Sequence, residues 1–530
     1  DRADCTGCDL SITLTLELTG HDSRVLTRES ICSTIESRLE LLQQHHQRQH
    51  QRLQHPPSMI PRSEKCITHM PFRILASQLT PPPSPVSSSS RGTFLVQVQS
   101  GSSDSGDTTD STTDNIECTW PQRIGVVFIG DSAAPGGHAI LAGLFQEMQS
   151  GRSGSELVGF IGGYHGLVGG HCAVLDSTTL QSYKYRGGLE LLGCCGRCDY
   201  HVSADQCNIV LHVCEDLNLG GLVLIGSSPA LTLLQCLVAY LKYKKSPVVV
   251  TAAPLDATGE LLGKECDVTV GFDSVCKVAA QIVGNNSTDA ASAKKYWYFN
   301  SLPDGLSSSR VTREVGLNTH PNFMLLMESE FTGTTCSESF AADLVQTLAD
   351  VIVARAESGK NYGTVLLPEG PLFHHDINLD IVMREVGLEL QKRRHVAFSA
   401  VGCRIHSQVY GADPSNFDLD VASRLGAIAG TLIASGKSGY VAKLKTAWGK
   451  GVSEWHPAGA LVLDVLAELR LRQSGLGLQE TTESCRPVCG QKLPLGVWNI
   501  DDAYLNPGPM QYEGELANTR VSAFMPAGPS

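Results

Sequence analysis

The residues with the clearest chemical meaning are small ones in a row. Gly130-Asp-Ser-Ala-Ala-Pro135-Gly136-Gly137-His138 follows an apolar, partly β-branched run, Ile124–Ile129. It precedes Ala139–Met148, whose spacing predicts an amphipathic helix packed back on a sheet. A strand, a glycine turn and a helix N-terminus together make an anion pocket, because bare N–H groups and the helix's partial positive end face one point. His138 adds a donor, whereas Asp131 inside the turn opposes an anion. No Gly-Lys-Ser/Thr follows and no GxGxxG is present, so the turn is neither a Walker A loop nor a dinucleotide fingerprint. The same residues also read as a plain tight turn. Gly162-Gly163, after the apolar Leu157–Ile161, is a second turn of this kind. Cys5/Cys8 and Cys194-Cys195-Gly196-Arg197-Cys198 lack the matching pair and histidine of a zinc site, and the 18 cysteines read as reduced thiols.

Such turns do chemistry only where strands bring them together. Strands at Ile124–Ile129, Leu157–Ile161, Gly221–Gly226 and Pro247–Thr251 alternate with helices at Cys207–Leu217 and Pro229–Lys242. That alternation predicts a mostly parallel sheet. Ligands bind at the carboxyl ends of such strands, so Gly130–His138, Gly162-Gly163, Gly226–Ala230 and Ala252–Glu260 are expected to converge on one cleft. Ala290–Phe299 reads as a helix ending in four aromatic residues. A second lobe opens with a strand at Phe323–Met327. Helices at Ser339–Glu357, Asp380–Arg394 and Phe417–Ser435 follow, with a strand at Thr364–Leu367. The expected divisions are a low-complexity extension at 1–120, a first lobe at 121–322, a second lobe at 323–496 and a loop-rich tail at 497–530. The extension carries a candidate helix within 22–42, a solvated His/Gln tract at 45–55, a short strand at Thr93–Val98 and Pro/Ser-rich stretches with the composition of disorder.

Composition excludes several classes. A formal net charge of −13 with no compensating basic stripe argues against nucleic acid and anionic membrane as partners. No apolar run approaches the roughly 18 residues of a membrane span, and no signal-peptide pattern is present, so a cytoplasmic location is expected. The first residue is not Met, which suits a piece of a longer precursor or fusion.

A set of short blocks in one order carries a resemblance. Pro135-Gly-Gly-His138, Gly159-Phe-Ile-Gly-Gly163, Gly187-Gly188 through Gly196-Arg197, Gly221–Gly226, Val270-Gly-Phe-Asp273 and Thr319-His-Pro-Asn322 come first. Leu367-Pro-Glu-Gly370, Pro414-Ser-Asn-Phe-Asp418, Val452-Ser-Glu-Trp455 and Asn506-Pro-Gly-Pro-Met-Gln511 follow. These blocks resemble diphosphate-dependent phosphofructokinases of the long, plant-like class across residues 120–525. The resemblance implies an α/β fold of two Rossmann-like lobes. In active members it implies the glycolytic transfer of phosphoryl from diphosphate to fructose 6-phosphate with magnesium. It assigns phosphate binding to Gly130, Pro135, Gly136, Gly137, His138, Gly162, Gly163 and Arg197, and the sugar-phosphate side to Glu369, Arg404 and Tyr410.

The chain departs from that pattern where the chemistry is done. Active members follow the third strand with Gly-Gly-Asp-Asp-Ser, which helps hold magnesium; here the run is Gly226-Ser-Ser228-Pro-Ala230, and hydroxyls do not replace a carboxylate. The family's Thr-Ile-Asp-Gly-Asp-Leu-Lys falls on Asp256-Ala-Thr258-Gly-Glu260-Leu-Leu262, so the base becomes Thr258, with Asp256 as a displaced candidate. The sugar-phosphate clamp Met-Gly-Arg falls on Pro303-Asp304-Gly305. The arginine before Pro-Ser-Asn-Phe-Asp is lost, with Tyr410 nearest and Arg310, Arg313 and Arg404 as substitutes. A large helical insert of the class is reduced to PLFHHDINL. The resemblance therefore points to a regulatory, non-catalytic subunit or half, a pseudoenzyme without magnesium whose partner is a catalytic homologue. The alternative is an active enzyme with a rearranged site.

Overall fold

The computed structural model describes residues 97–98, 119–130, 132–152, 154–195, 202–305, 309–326, 337–374, 377–393, 397–446, 451–473 and 523–524. The readings at 22–42, Cys5/Cys8, the His/Gln tract, Asp131, Arg197, Cys198 and nearly all of 497–530 lie outside them.

The first strands in chain order are β1 (Gln97–Val98), β2 (Arg123–Ile129), β3 (Glu156–Phe160), β4 (Cys172–Leu175), β5 (Gly221–Gly226), β6 (Val249–Asp256) and β7 (Val270–Gly271). They are followed by β8 (Trp297–Leu302), β9 (Phe323–Leu325), β10 (Gly363–Pro368), β11 (Ala400–Arg404), β12 (Tyr440–Lys445), β13 (His456–Leu461) and β14 (Ala523–Phe524). One sheet runs β1-β13-β12-β6-β5-β2-β3-β4, with β7 beside β6; the other runs β11-β8-β10-β9-β14. The second sheet is parallel throughout, and in the first only the β3–β4 and β12–β13 pairings are antiparallel. This is the mixed, mostly parallel α/β architecture expected.

The continuous apolar run of β2 has a simple cause. Ile124, Val126 and Phe128 enter a core with the helices Gly137–Gly151 and Asn416–Ala434, while Val127 and Ile129 enter a core on the opposite face with the helices Ala204–Asp216 and Ser228–Lys244. Side chains alternate along a strand, so a strand covered on both faces must be apolar at every position. The helices Gly137–Gly151 and Asn416–Ala434 cross at backbone contact. A Cβ on Gly143 would lie 2.0 Å from Ser423 O, and one on Gly426 would lie 2.1 Å from Ile140 O. Hence the small residues of both.

Three expectations are corrected. Ala290–Phe299 is not a helix: the helix Phe272–Ala293 ends at Lys294 (φ 50°), Tyr296 has φ 71°, and β8 begins at Trp297. Aromatic residues suit a strand, and buried Trp297 and Phe299 pack on the second sheet's own core. The fourth strand runs on to Asp256 instead of stopping at Thr251, so half of the expected Ala252–Glu260 turn is sheet. The sheets also do not divide at 322/323. β8 already belongs to the second sheet, and β12 and β13 return to the first. Each sheet is completed by chain that is remote in sequence.

Candidate active site

Strands β3, β2, β5 and β6 are parallel neighbours, so their carboxyl ends lie along one edge and the four glycine-containing turns fall together, as expected. The end of β5 fits against β2 only without a side chain: a Cβ on Gly226 would stand 2.0 Å from Ile129 O. The end of β6 meets the second sheet. A Cβ on Gly305, after β8, would lie 3.5 Å from both Thr258 Oγ1 and Glu260 Cβ. One on Gly370, after β10, would lie 2.4 Å from Gly305 O. Thr258, Glu260, Asp304-Gly305 and Glu369-Gly370 are thus gathered at one place, although over 100 residues separate the first from the last.

Asp256 is the carboxylate nearest the expected base. It is buried, and both its oxygens are used by its own turn. Oδ1 accepts from Thr258 N (3.0 Å) and Thr258 Oγ1 (2.8 Å), and Oδ2 accepts from Leu261 N (2.7 Å). The Thr258 hydroxyl points its proton at Asp256. Both side chains are committed to the turn's shape. Arg472, on the helix Val462–Gln473, donates to Glu260 O and Leu262 O, and Glu468 accepts from Lys264 N and Glu265 N. The loop after β6 is tied down along its length.

The donor-side residues are placed less favourably for an anion than the sequence suggests. Pro135, Gly136, Gly137 and His138 are all buried. A Cβ on Gly137 would meet Leu189 Cδ2 at 2.3 Å, and one on Gly136 would meet Val270 Cγ1 at 2.5 Å, so apolar side chains close on the turn. His138 has no exposed surface; its Nδ1 lies 3.3 Å from Arg186 O, and its Nε2 accepts from Leu191 N at 3.4 Å. Burial holds its imidazole below the ordinary value, so it is neutral and serves the 186–191 segment. Gly130, half-buried Gly162 and buried Gly163 lie at the strand ends. Cys195 lies over them, its thiol donating to Gly130 O at 3.4 Å, while a Cβ on Gly163 would reach Cys195 N at 2.7 Å. The Cys194-Cys195 pair is thus part of this edge.

On the second sheet, Glu369 faces the imidazole of His406, a contact that sequence reasoning missed; His406 also stacks edge-on with Tyr410 at 5.9 Å. The only sequence signal was that both follow strand ends. Arg404 pairs with Asp380 at the surface, both exposed. Asp304 is buried, and it accepts from Val311 N (2.7 Å), Thr312 N (3.1 Å) and Thr312 Oγ1 (2.5 Å) at the start of the helix Arg310–Thr319. Burial pushes its carboxyl up to about 7 against these hydrogen bonds and the charge of Arg313.

A family model described as phosphofructokinase matches residues 123–433. The chain belongs to the phosphofructokinase family. It is 28% identical over 479 residues to pyrophosphate–fructose 6-phosphate 1-phosphotransferase subunit alpha 2 of Arabidopsis thaliana, covering 76% of each chain. It is 28% identical over 467 residues to the subunit beta of Solanum tuberosum, covering 75% of this chain and 80% of that one. The corresponding Porphyromonas gingivalis protein is 27% identical over 474 residues, covering 74% and 84%. These relatives place the chain in the diphosphate-dependent, plant-like class. The fold agrees: Pichia pastoris phosphofructokinase in the T-state superposes with a TM-score of 0.53 at 16% identity, over 69% of this chain and 39% of that one. The pyrophosphate-dependent phosphofructokinase of Nitrosospira multiformis superposes with a TM-score of 0.52 at 14% identity, over 65% and 84%.

Phosphofructokinases generally use magnesium. Among the described residues no group of three or more His, Cys, Asp or Glu is placed to hold a metal. β5 runs into Ser227-Ser228-Pro229, and the helix there starts at Ser228. Magnesium prefers carboxylate and phosphate oxygens, and the nearby Asp256 turns both of its oxygens to its own loop. Also among the described residues, no helix is long and apolar enough to cross a membrane.

Proposed function

We propose that this chain is a non-catalytic, regulatory member of a diphosphate-dependent phosphofructokinase assembly, without the magnesium its family uses. The observation that carries the reading is the loop after β6. The position expected to hold a general base holds Thr258, and its hydroxyl and the neighbouring Asp256 bond to each other. A base must be free to take the attacking hydroxyl's proton, and a neutral alcohol that is already donating cannot. Phosphoryl transfer is otherwise mostly positioning and charge stabilisation, which the run Gly226-Ser-Ser228 and the fully engaged Asp304 do not supply.

Relatives of this chain are named as alpha and beta subunits, which supports a partner of the same family. Homologous lobes meet through symmetric or pseudo-symmetric surfaces. Mixed with an intact catalytic homologue, the chain should form a defined complex by size-exclusion chromatography with light scattering. A stable monomer that ignores that homologue contradicts the reading. The second reading, an active enzyme with a rearranged site, draws on Glu260, whose carboxyl carbon would lie 3.7 Å from a Cβ on Gly305. Turnover by the chain alone separates the two.

A further inference from the structure

The first sheet ends at β4, and among the described residues no strand lies beyond it. The character of its outer edge follows from the pairing on its inner side. β3 and β4 run antiparallel, with Leu157 opposite Leu175 and Gly159 opposite Ala173. Ile161 N donates to His171 O at 2.8 Å in that same register, so His171, Ala173 and Leu175 turn their backbone groups inward to β3. The alternation of an antiparallel ladder then turns the N–H and C=O groups of Cys172 and Val174 outward. β3 has the same parity on its other side, where Glu156 N donates to Gln122 O at 2.8 Å beside β2.

Open edges are normally blunted by lysine, proline, an inward-pointing charge or a bulge. β4 reads Cys-Ala-Val-Leu and carries no lysine, proline or charge; its protection is its shortness. Apolar side chains flank the open groups on both faces. Val174, on the face of Val158, is 58% exposed; Ala173 is exposed on the other face, and Ile161 at the end of β3 is 49% exposed. The occupant of such an edge is a short strand, because Gly170 (φ 67°) turns the chain at one end and Asp176 caps the helix Ser177–Tyr183 at the other. A second copy of β4 meets each requirement. Laid antiparallel about a two-fold axis through Ala173, Cys172 of each copy faces Val174 of the other, and these are the residues whose backbone groups point out. Asp176 of one copy then faces Gly170 of the other, which has no side chain, and no charge faces a like charge. A two-fold contact closes on itself and ends at a dimer. We propose that the chain self-associates by joining β4 to the β4 of a second copy, so that one sheet runs through both molecules. The contact uses neither the phosphate turns nor a catalytic partner, and its test is separate from that of the proposed function.

The test is sedimentation equilibrium of the full chain, comparing the parent, Val174→Pro and Val174→Lys. The parent should pass from monomer to dimer between about 1 and 100 µM, the range of a contact held by a few backbone hydrogen bonds and small apolar side chains. Val174→Pro removes an outward N–H that folding does not use, so it should melt like the parent and weaken the dimer at least about tenfold. Val174→Lys, which puts a charge on the open edge, should do the same and carries the test if Val174→Pro does not fold. A parent that stays monomeric across this range overturns the proposal, as does a dimer of undiminished strength in the folded variants. The register has its own readout. Ala173 of the two copies forms a non-hydrogen-bonded pair, with Cα atoms about 4.5 Å apart, within reach of a disulfide. A Cys172→Ser, Ala173→Cys chain oxidised with glutathione disulfide should give a dimer linked 173 to 173, identified by peptide mass. A dimer that forms without that link overturns the pairing.

Discussion

Asp256 and His138 show how a residue's type and its role come apart. The sequence marks both as able to do chemistry, one as a displaced base and the other as a phosphate donor. In the fold, Asp256 holds the turn 256–261 and His138 holds the segment 186–191. For Asp256 the partners are two to five residues away, and a turn reading could have found them. For His138 they are 48 and 53 residues away, and no local pattern shows them. Two predictions follow from these roles. Asp256→Ala takes the acceptor from two donors of half-buried Thr258 and from buried Leu261 N, and should cost about 2–4 kcal/mol in urea denaturation, with Asp256→Asn costing less. An Asp256→Ala chain as stable as the parent contradicts the structural role. His138→Ala should cost about 1–3 kcal/mol through a cavity and two lost hydrogen bonds, yet leave any phosphate binding unchanged. A selective loss of phosphate affinity, with stability intact, restores His138 as a donor.

Helices and strands were more legible than the contacts between them. Buried strands such as β2 and β5 could be read from their apolar runs, and the helix Asn416–Ala434 from its length. The reason for its glycines was not legible, because it is a crossing with a helix far earlier in the chain. Gly426→Ala should push a Cβ into Ile140 O and destabilise the chain by about 1–3 kcal/mol; an unchanged denaturation midpoint contradicts the crossing. Helix starts also set a pH dependence. Burial pushes Asp304 and Asp418 each up to about 7, although Asp304 caps one helix and Asp418 accepts from Ser274 N and Oγ at the start of another. A carboxyl raised in the folded state binds its proton more tightly there than in the unfolded chain. Its stabilising contribution is thus complete below the unfolded value of about 4 and is lost as pH rises through about 7. The chain should be more stable to urea at pH 5.5 than at pH 8, and Asp418→Asn should flatten the difference. Equal or greater stability at pH 8 contradicts the burial of these groups as charged carboxylates.

At the scale of the whole molecule, the sequence showed the class of fold but not its wiring. Two successive lobes were the natural reading of alternating elements. The first sheet instead takes β12 and β13 from beyond residue 439, and the second takes β8 from before residue 323. Pairings across hundreds of residues leave no trace in local periodicity. The gathering of the glycine turns was legible, since parallel neighbours must end on one edge. Which side chains would fill that edge was not. Thr258, Asp256 and Asp304 satisfy one another or nearby backbone, and on the proposed reading the site keeps its scaffold without acting on a substrate. The purified chain with fructose 6-phosphate, diphosphate and magnesium, in an assay coupled to product, tests this most directly. Loss of a general base alone removes about 100- to 10,000-fold, so a typical turnover of about 10 per second should fall to a barely measurable rate, and Thr258→Asp alone should restore nothing. Turnover near the typical value of about 1–10 per second, abolished by Glu260→Gln, would contradict the account and show a working site built in another register.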